Sequence, residues 1–247
     1  MSFFNKLFSK TPTVATGFSA VGTDFHSHLI PGIDDGVKSI EESLELIRQF
    51  KELGFKKLIT TPHAQEEFFK NDTTTIISGL KTIKDAVRNE GIEIEIEAAA
   101  EYLLDDGFAK KFRNGELITF GNKYLLVELN YYSPHPNFKQ FLFDLQIEGY
   151  QVILAHPERY SYWFRDFGKY NDLKDRAIFF QINTVSLAGH YGNEEKKVAE
   201  KLIKEGMVEF VGSDVHNQHY MNSLIKAGSE KILRELIESG KLLNHTL

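Results

Sequence analysis

A repeated placement constrains this chain more than any other feature. A short apolar run is followed at once by a histidine, aspartate or glutamate, and then by a helical stretch. His26 and His28 come after the apolar run of residues 18–25, His63 ends the run 57–62, and Glu101 ends the run 92–100. Glu128 ends 124–127, His156 ends 150–155, and Asp214 and His216 come just after 208–212. A seventh run, 178–183, sixth in chain order, ends in Asn183. The stretches between fit helices. Ser39 and Glu42 make a capping box ahead of Ile40, Leu44 and Ile47, with Gly54 as the stop. Further helical patterns cover 73–89, 137–148, 194–205 and 222–239, the last carrying Ile225, Ile232 and Leu236 on one stripe. Seven strands with mostly helical crossovers predict a parallel sheet. In a closed β/α barrel all strand C-termini open on one face, and that face carries the chemistry.

The chain has 247 residues, enough for one large domain with a substantial core. A net charge of −6 argues against a nucleic-acid partner, which needs a basic face. The absence of cysteine removes disulfides, thiolate metal sites and cysteine nucleophiles, and suits the cytoplasm. No apolar run approaches the roughly 20 residues of a transmembrane helix. Residues 1–20 read as a flexible tail and linker, with an aromatic and basic start (Phe3, Phe4, Lys6, Phe8, Lys10) that also suits a short amphipathic contact with a membrane or partner. Residues 21–247 read as the single domain.

In a strand, residues i and i+2 share a face, so His26 and His28 can aim both rings at one point. With the other strand-end residues they form an imidazole and carboxylate set without thiolate, which suits Zn, Mn or Fe. There are too many candidates for one tetrahedral ion. Two or three divalent ions around a bridging carboxylate fit the count, and such clusters hydrolyse phosphate esters.

These residues carry a resemblance. His26-x-His28, Thr61-Pro62-His63, Glu101, His156-Pro157-Glu158-Arg159-Tyr160 and Ser213-Asp214-x-His216-Asn217 resemble the polymerase and histidinol phosphatase (PHP) family. The segment from Asp24 through Pro31-Gly32-Ile33-Asp34-Asp35-Gly36 is closer to one branch, the bacterial manganese-dependent protein-tyrosine phosphatases of capsule and exopolysaccharide operons, the CpsB/CapC/YwqE type. The resemblance implies a distorted seven-stranded (β/α)7 TIM-like barrel, the PHP fold, with Mn as the expected metal. It implies one ion on His26, His28, Glu101 and Asp214, and a second sharing Glu101 and adding Glu128 and His156. A third would take Asp35, His63 and His216, with Asp34 as the alternative to Asp35. Arg159 would bind the substrate phosphate, and Arg159, His156 and Asp214 are the catalytic candidates. The other reading of Arg159 is an ion pair with Glu158.

The implied activity is hydrolysis of phosphotyrosine on a protein, an autophosphorylating tyrosine kinase that controls polysaccharide export. A homo-oligomer is compatible with the sequence. Two other readings use the same residues: a small-molecule phosphatase of the histidinol-phosphate kind, and a metal-stabilised module that regulates the kinase without turnover. One departure from the family pattern stands out, because acidic Glu66 and Glu67 follow His63 where some members are basic. His135, His190, His219 and His245 read as solvated or as supporting residues.

Overall fold

The structure, a computed structural model, describes residues 17–247. The part of the expected tail and linker over residues 1–16 lies outside the described residues, and residues 17–20 belong to an ordered start of the domain. The first described element, α1 (Phe18–Val21), buries Phe18 and Val21 in the core.

Among the described residues there are nine strands. They are β1 (Thr23–Asp24), β2 (Lys57–Thr60), β3 (His63–Ala64), β4 (Glu95–Ala98), β5 (Glu101–Leu103), β6 (Tyr124–Glu128), β7 (Gln151–Ala155), β8 (Phe179–Asn183) and β9 (Phe210–Gly212). One sheet has the order β1-β2-β4 and the other β3-β5-β6-β7-β8-β9, and every pair is parallel. Nine segments replace the seven expected because the second and third runs are each interrupted. Pro62 has no N–H to give to a ladder, so β2 stops short of His63. Ala99 and Ala100 separate β4 from β5. Hydrogen bonds nonetheless cross the gaps: Thr61 N–H donates to Ser27 O at 2.8 Å, Ala99 N–H to Thr60 O at 2.9 Å, and Glu101 N–H to Pro62 O at 3.1 Å. At the far edge Ser27 bridges Val215 in parallel, and Asp214 N–H donates to His26 O at 2.7 Å. The architecture is mixed α/β with a curled parallel sheet.

The helices are α2 (Ile40–Glu52), α3 (Thr73–Asn89), α4 (Asp106–Asn114), α5 (Phe138–Ile147), α6 (Gly168–Asp175), α7 (Thr184–Leu187), α8 (Asn193–Lys204), α9 (Gln218–Ala227) and α10 (Lys231–Glu238). Ser39 caps α2 as its sequence predicts, accepting from Glu42 N–H at 3.3 Å. The expected final helix is two helices. The chain leaves helical geometry at Glu230 (φ −70°, ψ 128°), and Ile225 is exposed rather than on the buried stripe.

The strands pack on both faces. Phe25, Ile59, Ala99, Leu126, Ile153 and Phe210 form one apolar cluster with Phe120 and Tyr124. The alternate strand residues, among them Leu58, Leu125, Val152 and Phe180, join Ile47, Ile83, Leu145 and Leu202 of the helices in a larger one. This pattern places the site. Ile59 and His63, Ala99 and Glu101, and Leu126 and Glu128 are separated by even steps, so each polar residue shares a face with an apolar residue of the smaller cluster. No helix among the described residues is long and apolar enough to cross a membrane.

Candidate metal centre

Glu101 is the hub. It is fully buried, and its Oε2 faces His63 Nδ1 at 3.0 Å, His26 Nε2 at 3.2 Å and His28 Nε2 at 3.7 Å. Its Oε1 lies 2.8 Å from His156 Nε2. Glu128 Oε1 lies 3.2 Å from His63 Nδ1, and its Oε2 lies 3.9 Å from His156 Nε2. Asp214 Oδ1 is 3.4 Å from both His26 Nε2 and His28 Nε2. Asp35 Oδ1 is 3.4 Å from His216 Nε2 and 3.6 Å from His63 Nε2. All nine residues expected as ligands therefore fall into one connected cluster. Four groups within it have ligand atoms close enough to share an ion: His28, Asp35, His63 and His216; His26, His28 and Asp214; His26, Glu101 and His156; and His63, Glu101 and Glu128.

The atoms at the centre fit divalent cations. His26 Nε2, His28 Nε2, His63 Nδ1 and Glu101 Oε2 are buried without a hydrogen-bond partner, although leaving such groups unpaired is costly. The tautomers suit ligation as well. His26 Nδ1–H donates to Gln181 Oε1 at 2.8 Å, His28 Nδ1–H to Asp34 Oδ2 at 2.7 Å, and His216 Nδ1–H to Asp214 O at 2.8 Å. A proton pinned on Nδ1 leaves the Nε2 lone pair facing inward, the usual arrangement around a bound metal. Burial pushes the Glu101 carboxyl up, but positive charge on protonated His26 and His63 rings, which a bound cation would replace, outweighs it and holds it well below the carboxylate range. The same opposition, burial against His26 and His216, holds Asp214 down. Burial also lowers the His156 imidazole, which favours the neutral form a cation binds.

Backbone geometry completes the aim. Counting from Ile153, residue 156 falls on the opposite strand face. His156 adopts a left-handed conformation (φ 35°) that turns its ring toward Glu101. Asp214 is also left-handed (φ 55°). Such conformations cost about 1–3 kcal/mol in non-glycine residues and cluster at functional sites. Gly212 leaves room for the site, since a Cβ there would lie 2.6 Å from His26 Cβ and 2.8 Å from Gln181 Nε2.

Asp34 and Asp35 separate cleanly. Asp34 is buried and accepts from His28 Nδ1, Gly36 N–H and His63 N–H, so it orients the histidine, while Asp35 faces His63 and His216. Arg159 is not paired with Glu158, which instead accepts from Asn183 N–H and Ser186 Oγ. Arg159 Nη1 donates to Asp214 Oδ2 at 3.1 Å, and its guanidinium carbon lies 4.0 Å from the Tyr191 ring centroid and 4.5 Å from that of Tyr131. His135 and His190 stand apart, the first 3.6 Å from Asp106 and the second bonded to Ser223 Oγ. Gln181, Asn183, Tyr131, Tyr191 and Gln65, whose amide donates to Glu128 Oε1 at 2.9 Å, complete the site without being expected. The signal for the first two was present. Gln181 and Asn183 alternate at the end of the one strand that carries no charged ligand.

The family model described as "Capsular polysaccharide synthesis, CpsB/CapC" matches residues 22–240. The chain belongs to the CpsB/CapC family. Among relatives, CapC of Staphylococcus aureus is 27% identical over 235 residues, covering 89% of this chain and 90% of its own. The tyrosine-protein phosphatase YwqE of Bacillus subtilis (strain 168) is 27% identical over 195 residues, 78% of this chain and 77% of its own. A crystal structure from work on YwqE of Bacillus subtilis and CpsB of Streptococcus pneumoniae, described as unique metal-dependent tyrosine phosphatases, matches with a TM-score of 0.76 at 25% identity. That match covers 91% of this chain and 94% of the other. A histidinol phosphate phosphatase from Lactococcus lactis matches at a TM-score of 0.51 and 14% identity, covering 89% of this chain and 93% of the other, a likeness of fold.

Proposed function

We propose that this CpsB/CapC family member is a cytoplasmic, metal-dependent phosphatase acting on phosphotyrosine in a protein, an autophosphorylating tyrosine kinase of capsular or exopolysaccharide synthesis. The observation that carries the reading is the convergence of unpaired His26, His28 and His63 nitrogens on the buried Glu101 Oε2, with Arg159 beside it through Asp214. The site serves two or three divalent ions, Mn first among them. His26, His28, Glu101 and Asp214 would hold one, Glu101, Glu128 and His156 a second, and Asp35, His63 and His216 a third. Ions held there neutralise phosphate oxygens and activate water. The protein's own contribution is positional. Gln181, Asp34 and the Asp214 carbonyl fix the imidazole protons, Glu101 offers one oxygen to each side, and Arg159 turns the donors not taken by Asp214 toward a phosphate. The hydrogen bonds across the strand gaps and the Ser27–Val215 bridge support reading the nine strand segments as the seven strands of a distorted (β/α)7 barrel. Residues 21–247 then form one domain.

The test is phosphate release from a phosphotyrosine peptide and a matched phosphoserine peptide, with Mn²⁺ and with chelator. The expected result is release from phosphotyrosine alone, abolished by chelator and by His156→Ala. Release from neither peptide by metal-loaded protein contradicts the proposal, and turnover of histidinol phosphate in its place points to a small-molecule phosphatase.

A further inference from the structure

Tyr191 lies in the loop between α7 and α8, outside every residue assigned above to metal or phosphate. Its hydroxyl donates to Asp214 Oδ2 at 2.6 Å. Asn183 Nδ2 donates to the same oxygen at 2.6 Å and Arg159 Nη1 at 3.1 Å. Three donors saturate Oδ2, so Oδ1 alone is left to face His26 and His28. The left-handed backbone of Asp214 makes this restraint more important, because regular strand geometry does not set its side-chain direction. The Arg159 guanidinium carbon meanwhile lies over the Tyr191 ring, 4.0 Å from its centroid, and over the Tyr131 ring at 4.5 Å. Two aromatic rings against a planar guanidinium restrict the directions its remaining donors can take toward a ligand. The loop is built to deliver the ring. Gly189 (φ 78°) and Gly192 (φ 137°) flank it in conformations that favour glycine, and His190 is anchored on Ser223 Oγ at 2.9 Å.

We propose that Tyr191 is a positioning residue with two separable roles: its hydroxyl divides the Asp214 carboxylate so that one oxygen serves the metal, and its ring orients Arg159 for phosphate. The proposal rests on the metal and phosphate assignments made above. It links the two sites through one side chain, so that metal and phosphate affinity answer to different atoms of the same residue.

Tyr191→Phe keeps the ring and removes the hydroxyl, Tyr191→Ala removes both, and Tyr131→Ala removes the other ring that Arg159 lies over, together with a hydroxyl 3.4 Å from His156 Nε2. Metal affinity is measured by competition between the protein and a chelator for Mn²⁺. Phosphate affinity is measured by calorimetry with inorganic phosphate at saturating Mn²⁺. Tyr191→Phe is expected to weaken Mn²⁺ binding about 10-fold or more, the scale seen when an outer partner of a metal ligand is lost, with phosphate affinity unchanged. Tyr191→Ala is expected to lose both, phosphate affinity falling about tenfold. Tyr131→Ala is expected to weaken phosphate binding at saturating Mn²⁺, which keeps the ring role testable if Tyr191→Ala does not fold. Wild-type Mn²⁺ affinity in Tyr191→Phe, or wild-type phosphate affinity in both alanine variants, overturns the proposal. A wild-type protein that binds Mn²⁺ and phosphate but releases nothing from phosphotyrosine refutes the substrate assignment and leaves this one standing.

Discussion

An imidazole binds a cation through one nitrogen, so the proton on the other decides whether the ring is ready. At His26 that decision belongs to Gln181, a neutral side chain, and at His28 to Asp34. Gln181→Leu keeps the bulk and removes the acceptor. It is expected to lower Mn²⁺ affinity or activity about 10- to 100-fold while leaving the far-ultraviolet circular dichroism unchanged. Unchanged Mn²⁺ affinity in a chelator competition would show that the tautomer is fixed elsewhere. This residue scale is also where the sequence was most and least legible. Charged ligands stood out because a histidine or carboxylate directly after an apolar strand has little structural reason to be there. Gln181, Asn183 and Tyr191 did not, because amides and phenols at such places are ordinary, and what makes these special is a partner more than 20 residues away.

At the scale of elements, the loop after β3 reaches the site through a helix cap. Asp105 caps α4 by accepting from Phe108 N–H at 2.7 Å, and its other oxygen accepts from Glu66 N–H at 3.0 Å. Gln65, next to Glu66, holds Glu128. Asp105→Ala is expected to cost about 1 kcal/mol through the lost cap, or about 2–4 °C in Tm for a chain of this size. It is also expected to reduce activity by loosening Gln65, and thermal unfolding beside a turnover assay checks both. Loss of stability with full activity would sever the loop from Glu128. Helix periodicity was a good guide where one face is buried, as in α3, whose sequence bounds of 73–89 agree with Thr73–Asn89. It failed over 222–239 because Ile225 and Ile232 are seven apart, a spacing that keeps its phase straight across the break after α9. The seven runs appear as nine segments because the ladders are interrupted at Pro62 and Ala99-Ala100, where pairing continues through irregular hydrogen bonds that composition does not encode.

For the whole molecule, burial of aromatic hydroxyls couples stability to alkaline pH. Burial pushes the Tyr102 phenol up to about 12, and raises Tyr162 and Tyr170 as well. An unfolded tyrosine ionises near pH 10. Below about pH 10 both states hold the proton and the contribution is fully present. Above it the unfolded chain ionises first, so stability is lost as pH rises toward the folded value. Urea midpoints measured from about pH 9 to about pH 11 are therefore expected to fall, and Tyr102→Phe is expected to flatten part of that slope. A flat wild-type profile would contradict the burial argument. The parallel arrangement was legible from the alternation of apolar runs and helices, while the closing contacts around Ser27 and Val215 depend on residues more than 180 apart and were not. The arrangement gathers residues from six other stretches of the chain around Glu101. Anomalous diffraction from crystals soaked in Mn²⁺, recorded for wild type and Glu101→Gln, tests it most directly. Strong peaks are expected within the cluster of His26, His28, Asp214 and Glu101 in the wild type, weakened on both sides of residue 101 in the variant. An empty cluster in fully active, Mn²⁺-treated protein would contradict it.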